Sequence, residues 1–208
     1  MNVKSFLYGG VLGMVVVTAL GQLSVTAESK PVDTPMGIPP ETVAAYVHAV
    51  IQADRATYTT QIVERMQMRG IVVASENWEQ RGTLPLPVQF LNESARLVAE
   101  NQKGVSFRLI SLWPINQRNG PANEFERAGL QEILTHGDRP HTGIITKGGL
   151  RYFQAVFADR AISQSCIGCH NAHPESPKTN FNLNDVMGAV VITLPLGKTA
   201  VVGALLPR

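Results

Sequence analysis

The run ETVAAYVHAVIQADRATYTTQIVERMQMR, Glu41 to Arg69, contains neither glycine nor proline, opens just after Pro40 and stops at Gly70. A stretch this long without a breaker, ended by a glycine, reads as one helix. At about 100° per residue, Val43, Tyr46, Val47, Val50, Ile51, Tyr58, Ile62 and Met68 fall in one broad apolar stripe, so the helix is expected to pack that side on a core. A helix of this length needs a broad partner, and the remaining sequence offers a sheet.

The segment TLPLPVQFLNESARLVAENQ is extended at Leu84–Leu86 and then helical from Pro87, where proline suits a first turn. GVSFRLISLWP reads as a strand ended by Pro114. A second helix is expected from about Asn123, a cap, to His136, with Gly137 as its stop. HTGIITKGGLRYFQAVFAD has the pattern of a hairpin turning at Gly148-Gly149, and Val186 to Leu194 supplies a last strand. IVVASENWEQRG fits no single pattern, and no repeat of 20 to 50 residues appears. Helices first and antiparallel strands afterwards indicate an α+β fold, with helices on one face of the sheet.

The whole sequence has 208 residues, enough for one domain with a real core. Its hydrophobic share is 44% against 16% charged, and part of the excess lies at the start. There Lys4, an apolar run from Phe6 to about Leu20 and Val25-Thr26-Ala27 have the order of a secretory leader cleaved after Ala27. The run is shorter than the roughly 20 residues of a membrane span and is weakened by Gly9, Gly10 and Gly13, with Gly21 just after it. If uncleaved, it would tie the chain to a membrane. Residues 28–40 are a proline-rich linker, and 41–208 the domain. The net charge of +2 falls to +1 when Lys4 is removed, so no basic surplus points to nucleic acid.

Both cysteines and two of the five histidines lie in QSCIGCHNAHPESPK, Gln164 to Lys178. Cys166, Cys169 and His170 form C-x-x-C-H, the pattern of c-type haem attachment. Two thiols at that spacing add to the haem vinyl groups as thioethers, and the next histidine is held where its imidazole meets the iron. That attachment occurs outside the cytoplasm, and the leader predicts such a location independently. Zinc would need four ligands; Cys166, Cys169 and His173 offer three, with Asp159 or Glu175 as an unforced fourth. A redox dithiol would sit at a helix start within a βαβ unit, whereas here the motif is expected in a loop after a strand, although a helical turn could begin around Ser163. His173, among Asn171, Pro174 and Glu175, reads as a solvated loop histidine.

SLWPINQRNGPANEFE, FADRAISQSCIGCHNAHPESPKTNFNLNDVMGAVVITLPL and LPLPVQFL together resemble the PAS-like c-type haem domain family, over roughly Glu41 to Leu196. Members of that family occur as sensor regions of membrane histidine kinases and as free-standing exported proteins of cyanobacteria. The resemblance implies a PAS-like antiparallel sheet flanked by helices, with one covalent haem c in its pocket. Cys166 and Cys169 would be the attachment residues and His170 the axial ligand.

Some members are thought to use a further cysteine on the other side of the iron, and this chain has none. Met68, on the apolar stripe, is the leading sixth-ligand candidate, beside Met66, His48, His136, His141 or no residue; ordinary core packing nevertheless accounts for Met68 better than ligation does. Arg55, Arg65, Arg108 or Arg151 would meet the propionates, and Trp78 or Trp113 would stack on the ring or anchor the core. The function expected is an exported redox carrier or a redox or gas-ligand sensor, in the periplasm or a thylakoid lumen. With no output domain in the sequence, sensing would need a partner protein. The alternatives are a haem enzyme with an open distal site and a haem-free binding module.

Overall fold

The computed structural model describes residues 37–196. The expected leader and most of the linker lie outside them. Helix α1, Pro40–Thr57, begins with proline in its first turn and Glu41 at the positive end of the helix dipole. It continues without a break through a π-helical segment, Tyr58–Glu64, into α2, Arg65–Met68. Gly70 ends it at φ +65°. Ile71 N donates to Met66 O and Gly70 N to Gln67 O, both at 3.0 Å, which is the Schellman pattern that a left-handed glycine permits.

The long helix is therefore as expected in extent, but its buried side is not the apolar stripe. Ala44, Ile51, Arg55, Thr59 and Val63 are the buried positions. Val43 and Val47 pack partly against the core, whereas Tyr46, Val50 and Ile62 are exposed and Met68 is 81% exposed. Tyr46 and Val50 form the stripe's outer edge ahead of Thr57; beyond it, the phase is set by the π segment. Its wider turns keep residues four apart nearly in line, so Arg55, Thr59 and Val63 share a face that a uniform 100° step would fan out.

The short α3, Trp78–Arg81, follows a bridge between Ala74 and Leu84, and α4 spans Pro87–Asn101. Strand β1, Ser106–Ile110, leads to α5, Glu124–Thr135, where the Asn123 side chain accepts from Glu126 N as its cap. Strands β2, His141–Lys147, and β3, Leu150–Arg160, form the expected hairpin. Gly148 and Gly149 both have positive φ, as a two-residue turn that follows the strand twist requires. Helix α6, Gln164–Ala172, and strand β4, Val186–Pro195, complete the chain.

The four strands are antiparallel in the order β1-β4-β3-β2. The α+β class and the sheet flanked by helices are those expected. Helices cover both faces, however, rather than one. Val190, Ile192 and Leu194 of β4 meet Ala44, Ile51 and Leu91 on one side. Ala189 and Val191 meet Leu130 and Ile133 on the other. Central β4, covered twice, is accordingly apolar at nearly every position rather than at alternate ones.

At one end the sheet opens toward the cysteine motif. The β3–β4 ladder shifts register at Asp159/Arg160, where Asp159 lies opposite Gly188. A bulge at this point lets the chain leave the sheet and enter α6. Gly188 has no room for a side chain, since a Cβ there would lie 2.2 Å from the Ile110 carbonyl oxygen.

Candidate functional site

The motif, expected in a loop or in a helical turn begun around Ser163, is helical. Ser163 starts α6, its hydroxyl accepting from Cys166 N at 3.3 Å. Spacings of three and four residues put Cys166, Cys169 and His170 on one face of that helix. Ala161, Phe181 and Met187, with Trp113, Cys166 and Ile167 packed against them, anchor it to the sheet end. Asn171 fixes the return of the chain by exchanging two hydrogen bonds with the Phe181 backbone, each 2.9 Å. The His170 ring meets Phe181 edge-on at 5.9 Å.

Both cysteines are free thiols. Cys169 reaches solvent on one side, yet the protein around it raises its thiol pKa, with Glu76 and Cys166 adding to the effect. An activated redox thiol shows the opposite shift. The sheet is also antiparallel, so the motif starts a helix but belongs to no βαβ unit. His170 is lowered, first by burial and then by His173 and Arg55, and is a neutral imidazole at pH 7.

The three motif side chains line a cavity of about 590 Å³. That lies in the range of roughly 300–1,000 Å³ usual for small-molecule and cofactor sites. A second wall comes from the long helix through Arg55, Thr59, Val63 and Gln67, and a third from Trp113 to Asn119. Ser111 holds that loop in place, its hydroxyl donating to Met187 O at 2.7 Å and accepting from Trp113 N. Asp159 closes the floor, with Arg55 Nη1 3.1 Å from its Oδ1 and both side chains 7% exposed. Burial raises the Asp159 pKa, against the pull of Arg55 and of a long 3.5 Å contact from Gln52.

Three polar atoms of this lining lack a hydrogen-bond partner among the described residues: Arg55 Nη1, Thr59 Oγ1 and His170 Nδ1. The Arg55 contact to Asp159 is close enough for an ion pair but not aligned for a hydrogen bond. Buried polar groups are nearly always satisfied, so three orphans around one cavity mark a place built to receive something polar.

The pattern of the Tll0287-like family matches residues 40–195, from the start of α1 to the end of β4.

The chain belongs to the Tll0287-like family.

Among solved structures, the cyanobacterial haem-protein Tll0287 is similar at 15% identity, covering 76% of this chain and 97% of that one, with a TM-score of 0.46. No curated protein matches the sequence. The match to the Tll0287-like family covers every element of the site.

Other expected residues fall elsewhere. Met68 stands in solvent and lines no part of the cavity, so its expected burial is corrected. Met66, His48, His136 and His141 do not line it either. His48 stacks on Phe157 with ring centres 4.1 Å apart, and His141 Nδ1 lies 2.6 Å from Glu132. Of the four arginines considered, Arg55 lines the cavity, while Arg108 pairs with Glu126 at 2.8 Å. Trp113 lines it and Trp78 does not.

His173 is no solvated loop residue. It caps α6, accepts from Glu175 N at Nδ1 and turns Nε2 to Glu76 Oε1 at 3.4 Å. No cluster of three or more His, Cys, Asp or Glu side chains suited to a metal ion occurs among the described residues. Thr59 and Met187 are cavity residues that sequence reasoning passed over. Thr59 gave no signal, because a threonine within an apolar-looking helix reads as a surface position.

Proposed function

We propose that this chain is an exported haem c protein that exchanges electrons with a partner, with one haem covalently held in the cavity. The observation that carries the reading is the placement of Cys166, Cys169 and His170 on one helix face along the cavity wall. Support comes from the family, whose namesake Tll0287 is described as a haem-protein. The donor set suits the group as well. Two free thiols provide thioether attachment, a neutral imidazole provides an iron ligand, and a largely apolar cavity shields the ring.

Haem would supply one-electron chemistry at its iron. The chain's own residues do the rest. Asn171 and the apolar contacts of α6 hold the imidazole, and Trp113 walls the cavity against water. Residues 1–27 act as the export leader under this reading, delivering the chain to the compartment where thioethers form. The mature protein would then begin at Glu28.

The test is expression in a host that matures c-type cytochromes. The purified protein should stay coloured on a denaturing gel stained for haem, gain the mass of one haem, and begin at Glu28. A colourless polypeptide with two titratable thiols would end the proposal.

A further inference from the structure

The side chains able to serve as iron ligands are unevenly distributed around the cavity. Histidine, cysteine, methionine and tyrosine are the usual protein ligands of haem iron. Besides the motif itself, the lining holds, among the described residues, His173 and Met187 of these. His173 lies one turn beyond His170 on α6 and is turned to Glu76. Met187 is buried with Ala161 and Phe181, the cluster on which Cys166 packs. Both thus belong with the motif helix and its support.

The long helix instead presents Arg55, Thr59, Val63 and Gln67. None of these is a usual iron ligand; the Thr59 hydroxyl makes no hydrogen bond, and Arg55 Nη1 meets Asp159 as an ion pair without hydrogen-bond alignment. Thr59 is fully buried and Arg55 is 6% exposed. Both orphaned atoms sit on the face that the π segment keeps in line, and such segments recur at functional sites. Arg55 also has its charge partly balanced by Asp159, so the wall offers directed donors more than a strong positive field.

We infer that the Arg55–Thr59 wall is a binding site for a small hydrogen-bond-accepting ligand, a halide-sized anion or a diatomic, taken up in the same cavity as the haem. The inference rests on the haem reading above. It adds that the iron keeps an exchangeable position and that this chain's helix selects what enters it. A preformed pair of buried donors binds such an acceptor without reorganising, which is where directed hydrogen bonds are most effective.

Ferric holoprotein titrated with sodium fluoride, followed by its optical charge-transfer bands, tests the inference directly. Fluoride is expected to bind and shift those bands. Thr59→Val keeps the shape of the side chain and removes a hydroxyl that makes no hydrogen bond, so the fold should survive. It should weaken fluoride by about tenfold, as losing one hydrogen bond to a charged acceptor does. Arg55→Met should weaken it further, by up to about a hundredfold, and Arg55→Lys should restore part of the loss.

Unchanged spectra at saturating fluoride would mean that a protein group fills the position and would overturn the inference. Equal fluoride affinity in wild type and Thr59→Val, with altered haem retention in Arg55→Met, would assign Arg55 to a propionate and also overturn it. Absence of gel-stable haem refutes the haem reading itself and is scored before any titration, so the two failures remain distinct.

Discussion

A histidine packed flat on a ring and shielded from water gains little by carrying a proton, because burial strips the charge of its hydration. His48 and Phe157 are arranged this way, with an interplanar angle of 8°, and burial lowers the His48 pKa from 6.5 to about 4. Between those two values the unfolded chain binds more protons than the folded one, so stability rises with pH across that window. The contribution is complete above pH 6.5 and is lost as the solution is acidified toward pH 4. Its size is on the order of 1 kcal/mol, because the ring is only partly buried and solvent screens it. His48→Phe keeps the stacking and removes the titration. Denaturant midpoints at pH 7.5 and pH 4.5 should therefore differ less in His48→Phe than in wild type, and an identical pH dependence would exclude His48 as the source.

At the scale of elements, the long helix explains why the site was only half legible. Cys166, Cys169 and His170 were readable because their chemistry imposes a spacing that survives in the sequence. The hairpin was readable because two glycines at positive φ leave a visible dipeptide. The buried face of the helix was hidden because a π segment leaves no such mark, and because a cavity wall is polar where a packed core is apolar. A uniform wheel therefore selected Ile62 and Met68, which are exposed, and missed Thr59. Met68 illustrates the error: beyond the π segment its phase is no longer that of Val43. Insertion of one alanine after exposed Gln61 should turn Arg55 against Val63 by about one residue step of 100°. Far-UV circular dichroism should then keep its helical signal while haem content per polypeptide falls steeply. Full loading of the insertion variant would show that the phase of the long helix across the π segment is not needed.

For the molecule as a whole, the question is whether the fold depends on the group it is proposed to hold. Two of its three apolar clusters lie on the faces of the sheet, away from the motif. They include the fully buried Ile133, Val156, Val190 and Ile192, and they join β4 to the helices on both sides. The third is small and links α6 to the sheet end through Phe181 and Met187. Stability is thus unevenly distributed, with the sheet at the high end and the motif helix at the low end. In Cys166→Ala/Cys169→Ala, covalent attachment is impossible, yet the sheet clusters lose nothing. That variant should unfold cooperatively with native-like far-UV circular dichroism, at a melting temperature below that of the holoprotein. Amide exchange should speed up in Gln164–Ala172 while β3 and β4 stay protected. If the doubly substituted chain instead lost protection throughout, the haem would be part of the core, and the cavity would be a product of cofactor binding rather than a site formed before it.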